Sequence, residues 1–433
     1  MKRLLLTSLA VFFLLSACMP NTSQPEPTTI VPVEENQMLT GKLDYNPNPQ
    51  HTPEETKSLA AANNEFALDL YQQLKSGQGN LLYSPYSLFQ ALTMVYAGAR
   101  GDTAGQMREV LHYPISDEEL HRVSNALNKV LSSTPDTSNQ DDQAFSLQIA
   151  NALWAMQNGH IEESYLDLLS ENYAAGMRTV DFAQSQQAAD LINQWAQEHT
   201  NNKIKEIANP AMFNVNTRLA LTNAVYFKGA WRFPFDEVNT QKQPFTLLDG
   251  DQVEVDMMRL STEELRALKN DQIQMVELGY ANSSMVMDLV APTNGNWDSF
   301  SQTLTAGLLD DYLGQLDTHR VDLSLPKFII ETPEMDLIDP MQDLGMIDLF
   351  GMGADLSGMT GDKSLLISTL VQKAFIDVNE AGTEAAAVTI AVAQEKGMIS
   401  PEPLTITFDS PFLFLIRDRD TGAILFIGQL IQP

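Results

Sequence analysis

The sequence predicts an α+β fold built on large sheets. Two observations lead there. Helical periodicity comes first along the chain and long apolar strands dominate the remainder, an order that segregates helices from sheets. Two of the strands, "FSLQIANALWAM" (Phe145–Met156) and "RLALTNAVYF" (Arg218–Phe227), are apolar on both faces, as in a central strand that is covered on each side. With 433 residues and a 44% hydrophobic composition, the chain can bury a large core.

The elements can be justified in order. "LAAANNEFALDLYQQL" places Leu59, Ala62, Phe66, Leu70 and Leu74 near one helical face. "SPYSLFQALTMVYAGA" opens with Ser84 as N-cap and Pro85 at the first helical position, where its missing N–H costs nothing. Its stripe is Leu88, Leu92 and Val95 with Ala91 beside it, and it ends at Gly98. After the two long strands come "QVEVDMM", "SMVMDLVAP", "VDLSLPKFII" and "LLISTLVQKAFIDV", with one helix expected between them from about Trp297 to Leu316. "DGDQVEVD" (Asp249–Asp256) reads as a hairpin turn running into an edge strand, because valines occupy positions where a calcium loop needs oxygen ligands. The C-terminal "SPFLFLIRDRDTGAILFIGQL" reads as a hairpin around Asp418–Gly422. No linker and no internal repeat interrupts the chain after Leu59, so residues 59–433 are expected to form one domain.

The N-terminus carries an address. "MKRLLLTSLAVFFLLSAC" has a basic start, Lys2 and Arg3, then an apolar run from Leu4 to Leu15. That pattern is a secretory signal, too short for a spanning helix. It ends in "LSAC", which resembles the bacterial lipobox, so residues 1–18 are expected to be a lipoprotein signal with Cys18 as the lipidated residue. The other reading is an ordinary signal peptide with a chance cysteine. Cys18 is the only cysteine, which excludes an internal disulfide. Residues 19–58 are rich in Pro, Thr, Asn, Gln and Glu, and are expected to be a disordered stalk that holds the domain off a membrane. The protein is thus expected to be exported and lipid-anchored on the outer face of a bacterial membrane or cell surface, with the lipid as its only membrane contact.

Composition excludes several function classes. A formal net charge of −30 should repel nucleic acid, anionic lipid surfaces and heparin-like polyanions. The six histidines show no ligand spacing such as H-x-x-x-H, so no metal and no cofactor are expected. G-x-S-x-G, H-E-x-x-H and the phosphate-binding G-x-x-x-x-G-K-[ST] are all missing, and no cysteine remains in the domain to act as a nucleophile. An enzyme is not expected. One stretch resists a simple reading: "VNEAGTEAAAVTIAVAQEKGMISPEP" (Val378–Pro403). Its alanines favour a helix, whereas Val388, Thr389, Ile390 and Val392 favour a strand.

Six stretches resolve that ambiguity together: "NLLYSPYSLFQALTMVYAGARGDTAGQMREVLH", "LTNAVYFKGAWRFPFD", "LPKFIIE", "LGMIDLFGMGADLSGM", "VNEAGTEAAAV" and "PFLFLIRDRDTGAILFIGQLIQP". All resemble serpins, and they occur in serpin order from about Leu59 to the end. Two positions depart from the pattern: Ala381, where a charged residue is frequent, and Gln372, where a histidine is frequent. The resemblance implies three β-sheets, about nine helices and an exposed reactive loop. It also implies a mechanism. A protease attacks the loop and forms an acyl-enzyme; the cleaved loop then inserts into the large sheet and drags the protease with it. The smooth ribbon now has a physical purpose, because residues that slide between two strands should be small, uncharged and free of proline. Fifteen residues at about 3.3 Å each span roughly 50 Å. About ten new ladder hydrogen bonds at about 1 kcal/mol each release on the order of 10 kcal/mol.

The resemblance also assigns residues. Glu380, Gly382, Thr383, Glu384, Ala385, Ala386 and Ala387 match the hinge. Ser84, Ser87 and Asn223 match the polar cluster under the opening sheet. Trp231 and Lys327 match the point where the loop first enters, and Lys327 should pair there with Glu380. The scissile bond is expected at Lys396–Gly397, with Met398–Ile399 as the other choice. Lys396 implies a trypsin-like serine protease as partner, cysteine proteases being a second class, and a monomeric inhibitor. The alternative is a non-inhibitory serpin acting as a surface binding or chaperone-like protein. Bulky, charged or proline residues in the hinge would favour that alternative, and "GTEAAAVTIA" has none of these beyond Glu384.

Overall fold

The computed structural model describes residues 37–75, 79–132, 145–157, 159–383 and 402–433. Its helices are α1 (Pro53–Leu74), α2 (Pro85–Tyr96), α3 (Gly101–Val110), α4 (Asp117–Ser132), α5 (Glu163–Tyr173), α6 (Ser185–His199), α7 (Trp297–Thr303), α8 (Ala306–Gly314), α9 (Ile338–Leu344) and α10 (Ser357–Thr360). The strands are β1 (Met38–Leu39), β2 (Leu81–Tyr83), β3 (Phe145–Met156), β4 (Met177–Val180), β5 (Leu219–Ala230), β6 (Gln241–Thr246), β7 (Gln252–Lys269), β8 (Ile273–Gly279) and β9 (Met285–Pro292). They continue with β10 (Asp317–Pro326), β11 (Phe328–Glu331), β12 (Met335–Asp336), β13 (Ile367–Asn379), β14 (Gly382–Thr383), β15 (Leu404–Thr407), β16 (Phe412–Asp418) and β17 (Ile424–Leu430).

Two sheets organise these strands. The first runs β1-β4-β3-β5-β14-β13-β11, with β12 also on β13. The second has nine strands, β15-β10-β7-β8-β9-β16-β17-β2, with β6 on β7. Two of the three expected sheets are therefore continuous, because the 18-residue β7 is long enough to pair with β6 at its start, with β10 from Met257 to Ala267 and with β8 at its end. The turn expected at Asp249 is present, but β7 is flanked rather than an edge.

The first sheet is covered on both faces, as the unbroken apolar run of β5 requires. Leu219, Leu221, Val225 and Phe227 face the main core, which includes α2. Ala220 and Ala224 face α6, where Trp195 meets Trp154 edge-on at 5.9 Å. Alternation from Leu219 to Val225 thus puts Leu219, Leu221 and Val225 on one side and the smaller Ala220, Thr222 and Ala224 on the side where a helix lies close.

Two expectations need correction. The helix expected from Trp297 to Leu316 is two helices, α7 and α8; it breaks at Leu304–Thr305, where the Thr305 hydroxyl accepts from the Leu308 amide at 3.2 Å and starts a new N-terminus. Residues 37–58, expected to belong to the stalk, are structured. β1 pairs antiparallel with β4 at the edge of the first sheet, the Asn46 amide donates to the Glu171 carbonyl at 2.9 Å, and the Tyr45 hydroxyl donates to Asn125 Oδ1 at 2.9 Å. Helix α1 begins at Pro53 rather than near Leu59. A capping box starts it: Thr52 Oγ1 accepts from the Glu55 amide, and Glu55 Oε2 accepts from the Thr52 amide. Prolines that read as linker serve here as a pre-set first turn.

Candidate functional site

The site is the seam between β5 and β13. Over most of their length these strands pair in parallel, from Leu219–Ile367 to Tyr226–Phe375. At one end they part. There β14 lies between them, antiparallel to both: Gly382 opposite Ala230 and Asn379, Thr383 opposite Gly229 and Val378. Gly382 reaches this position at φ 155°, a conformation that a side chain would disfavour. Two residues of the expected hinge are thus already in the sheet. Glu380 lies just before them, and Glu384 to Ala387 lie outside the described residues, as do Lys396, Gly397, Met398, Ile399 and Cys18.

A polar cluster holds the seam closed below that point. Ser84, fully buried, caps α2 by accepting from the Ser87 amide at 3.3 Å, and its hydroxyl donates to the Leu425 carbonyl at 2.7 Å. Asn223 of β5 donates to Ser87 Oγ and to Asn151 Oδ1 of β3. Across the seam, Gln372 of β13 donates to Asn223 Oδ1 at 2.6 Å and to the Ser84 carbonyl at 3.0 Å, and it accepts from the Ser84 amide at 2.8 Å. Four strands, β3, β5, β13 and, through Leu425, β17, therefore share one network with one helix terminus. Ser84, Ser87 and Asn223 are brought together as their motifs suggested. Asn151 and Gln372 complete the network; Gln372 was visible in the sequence only as the residue in a histidine's usual place.

A second cluster surrounds β14. Glu380 is buried and bound twice, by Lys327 Nζ at 2.8 Å and by the Thr240 hydroxyl at 2.7 Å. Burial pushes the Glu380 carboxyl up, but the bonds from Lys327 and Thr240 outweigh it and hold the group below its ordinary value. The same bond raises the Lys327 amine above lysine's ordinary value. Trp231 donates its indole N–H to the Asn379 carbonyl at 3.0 Å, and its ring stacks on Tyr280 with centroids 4.7 Å apart. The Tyr280 and Thr383 hydroxyls lie 2.7 Å apart, each able to donate. Burial raises the Tyr280 phenol far above its ordinary value, so it stays protonated. Nothing in the sequence singled out Tyr280 or Thr240. Neither belongs to a motif, and both reach the site from turns.

This arrangement is a sheet with a seam started at one end, a buried network below it and a hinge seated in the start. A family model for serpins, serine protease inhibitors, matches residues 61–433. The chain belongs to the serpin family. An uncharacterized serpin-like protein of Thermococcus kodakarensis is 36% identical over 99% of this chain and 98% of its own. The leukocyte elastase inhibitor of Bos taurus is 36% identical over 87% of this chain and all of its own. Among solved structures, the thermophilic serpin Tengpin in its native state superposes with a TM-score of 0.81 at 27% identity, covering 92% of this chain and 100% of its own. Trp195 packs in this serpin against Trp154 on the far face of the sheet.

Two outcomes test these clusters. Gln372→Leu keeps the volume but strands Asn223 Oδ1 and the Ser84 amide in a dry site, which should lower stability by about 1–3 kcal/mol in denaturant unfolding. Glu380→Gln tests the ion pair against pH. A carboxylate held below its unfolded value of about 4.3 stabilises the fold above that pH. Its contribution is lost as pH falls through the lower folded value. The wild type should therefore be more stable than Glu380→Gln at neutral pH, and the gap should close as pH drops below about 4. Melting temperatures of the two proteins across pH 3–7 check this.

Proposed function

We propose that this serpin is an extracytoplasmic suicide-substrate inhibitor of serine proteases, with cysteine proteases as a second target class, and that it traps the acyl-enzyme by inserting its reactive loop between β5 and β13. One observation supports the reading: β14 lies antiparallel to both neighbours, where an inserted strand would begin. Continued one residue per step from the pair Thr383–Gly229, this register would bring Thr389 opposite Asn223, and Ala393 opposite Leu219, the first residue of β5. Against β13 the same step brings Thr389 opposite Gln372. The small hydroxyl would land between the two residues that now bond each other. Lys396 would lie just past the end of the strand, where a bond still held by a protease must lie. That geometry favours Lys396–Gly397 over Met398–Ile399 as the scissile bond, and with it a trypsin-like target whose primary pocket holds an acid.

The chain acts here as a substrate that fails to turn over, not as an enzyme. We also propose that it works as a monomer, lipidated at Cys18 and exported. Among the described residues no helix is long and apolar enough to cross a membrane, and a lipid at the N-terminus would tether without spanning.

Incubation with trypsin should yield an SDS-resistant complex, and the C-terminal fragment released from it should begin at Gly397. Thr383→Arg forces a charge into a fully buried seat. It should convert the inhibitor into a substrate that is cut without trapping; a stoichiometry of inhibition near that of the wild type would overturn the insertion mechanism. Cys18→Ala should move the protein from the membrane to the soluble fraction on cell fractionation.

A further inference from the structure

Tyr280 sits just after β8 and outside the six stretches that resemble the family, yet it is fully buried and in contact with the seam on several sides. Its ring stacks on Trp231 at an interplanar angle of 18° and meets the edge of Phe227 at 4.9 Å. Gly229 leaves it room: a Cβ there would stand 2.6 Å from the Tyr280 ring, so the ring lies against the backbone of β5 where Thr383 pairs. The Trp231–Tyr280 bridge and the Ala281 amide, which donates to the Ala230 carbonyl at 2.8 Å, tie this turn to the end of β5. The ring is thus fixed on three sides, and its one polar atom is aimed at the one polar side chain of β14, the Thr383 hydroxyl, at 2.7 Å.

We propose that Tyr280 is a positioning residue of the trapping reaction: its hydroxyl holds Thr383 in the sheet before any protease arrives, and so sets the split between trapping and release. The proposal rests on the inhibitory reading above. The fate of an acyl-enzyme is a race between loop insertion and hydrolysis of the ester. A seated hinge has already parted β5 from β13 at two positions and expelled the water there. An unseated hinge must do both before the first new pair forms. Loss of the hydroxyl therefore slows insertion and leaves hydrolysis alone, because Tyr280 touches neither the protease nor the scissile bond. Freeing the hinge also adds two residues to the reactive loop, so the first encounter with the protease should be no slower.

The test uses the full chain and two variants that keep the fold. Tyr280→Phe retains the ring and its stack on Trp231; Thr383→Val retains the shape of the hinge residue. A net buried hydrogen bond shifts a two-state ratio by about two- to tenfold. Amide hydrogen exchange across residues 378–383 of the free protein should speed up by that factor in Tyr280→Phe, with the rest of β5 and β13 unchanged. With trypsin, the moles of serpin consumed per mole of protease trapped should rise, while the association rate does not fall. Thr383→Val should reproduce both effects, and the double variant should be no worse than either single. Unchanged exchange overturns the seat, additive effects overturn the pairing, and faster exchange at unchanged stoichiometry overturns the role in trapping. If the wild type traps no protease at all, the inhibitory reading falls and the role in trapping with it, while the exchange result still decides whether Tyr280 seats the hinge.

Discussion

The parallel ladder between β5 and β13 is the contact on which the rest of this molecule depends. It is complete enough to hold the sheet shut from Leu219 to Tyr226, yet it joins two strands that run the same way. Parallel pairs are slightly weaker per residue than antiparallel ones. A strand arriving between them from the β14 end would run antiparallel to both, so one parallel seam could be exchanged for two antiparallel ones. Such an exchange would leave the stronger kind of pairing on both sides of the new strand. The polar network of Gln372, Asn223 and Ser84 sits where such an exchange must pass, and it is satisfied internally, so opening the seam costs hydrogen bonds that only a new partner can restore.

The two clusters divide the work by chemistry. Around β14 the groups are aromatic and ionic: Trp231 stacked on Tyr280, and Lys327 paired with Glu380. These contacts shape an opening and hold it at a fixed width. Below it the groups are neutral amides and hydroxyls, which can change partners without stranding a charge in the core. An imidazole in place of Gln372 would carry a titratable proton into that network; the amide carries none.

Much of this was legible in the sequence, for identifiable reasons. The Ser84 cap with Pro85 behind it, the C-terminal hairpin and the doubly covered strands β3 and β5 obey local rules that tertiary structure did not override. Of the expected hinge, Gly382 and Thr383 lie in the sheet, a placement that came from the resemblance to a family and not from a local pattern. The features that escaped notice did so for physical reasons. A two-residue strand such as β1 has no periodicity to detect. Pro53 reads as a linker residue until its cap is seen, since the same fixed φ suits both settings. The break at Thr305 hides inside a run that remains amphipathic across it. Tyr280 and Thr240 act from turns, where a single side chain reaches a distant strand and leaves no pattern along the chain.

The direction of β1 has a consequence for which pole of the sheet the first described residues mark. β1 runs antiparallel to β4, with Leu39 opposite Met177 and Met38 opposite Arg178, and β4 is parallel to β3. Traced toward the N-terminus, the chain at Gln37 heads toward the end of the sheet where β5 starts, the pole farthest from β14. Under the inhibitory reading proposed above, a strand drawn down the seam from β14 would end at that same pole. Whatever such a strand carried would then travel the length of the sheet, from the hinge end to the end where the described chain begins.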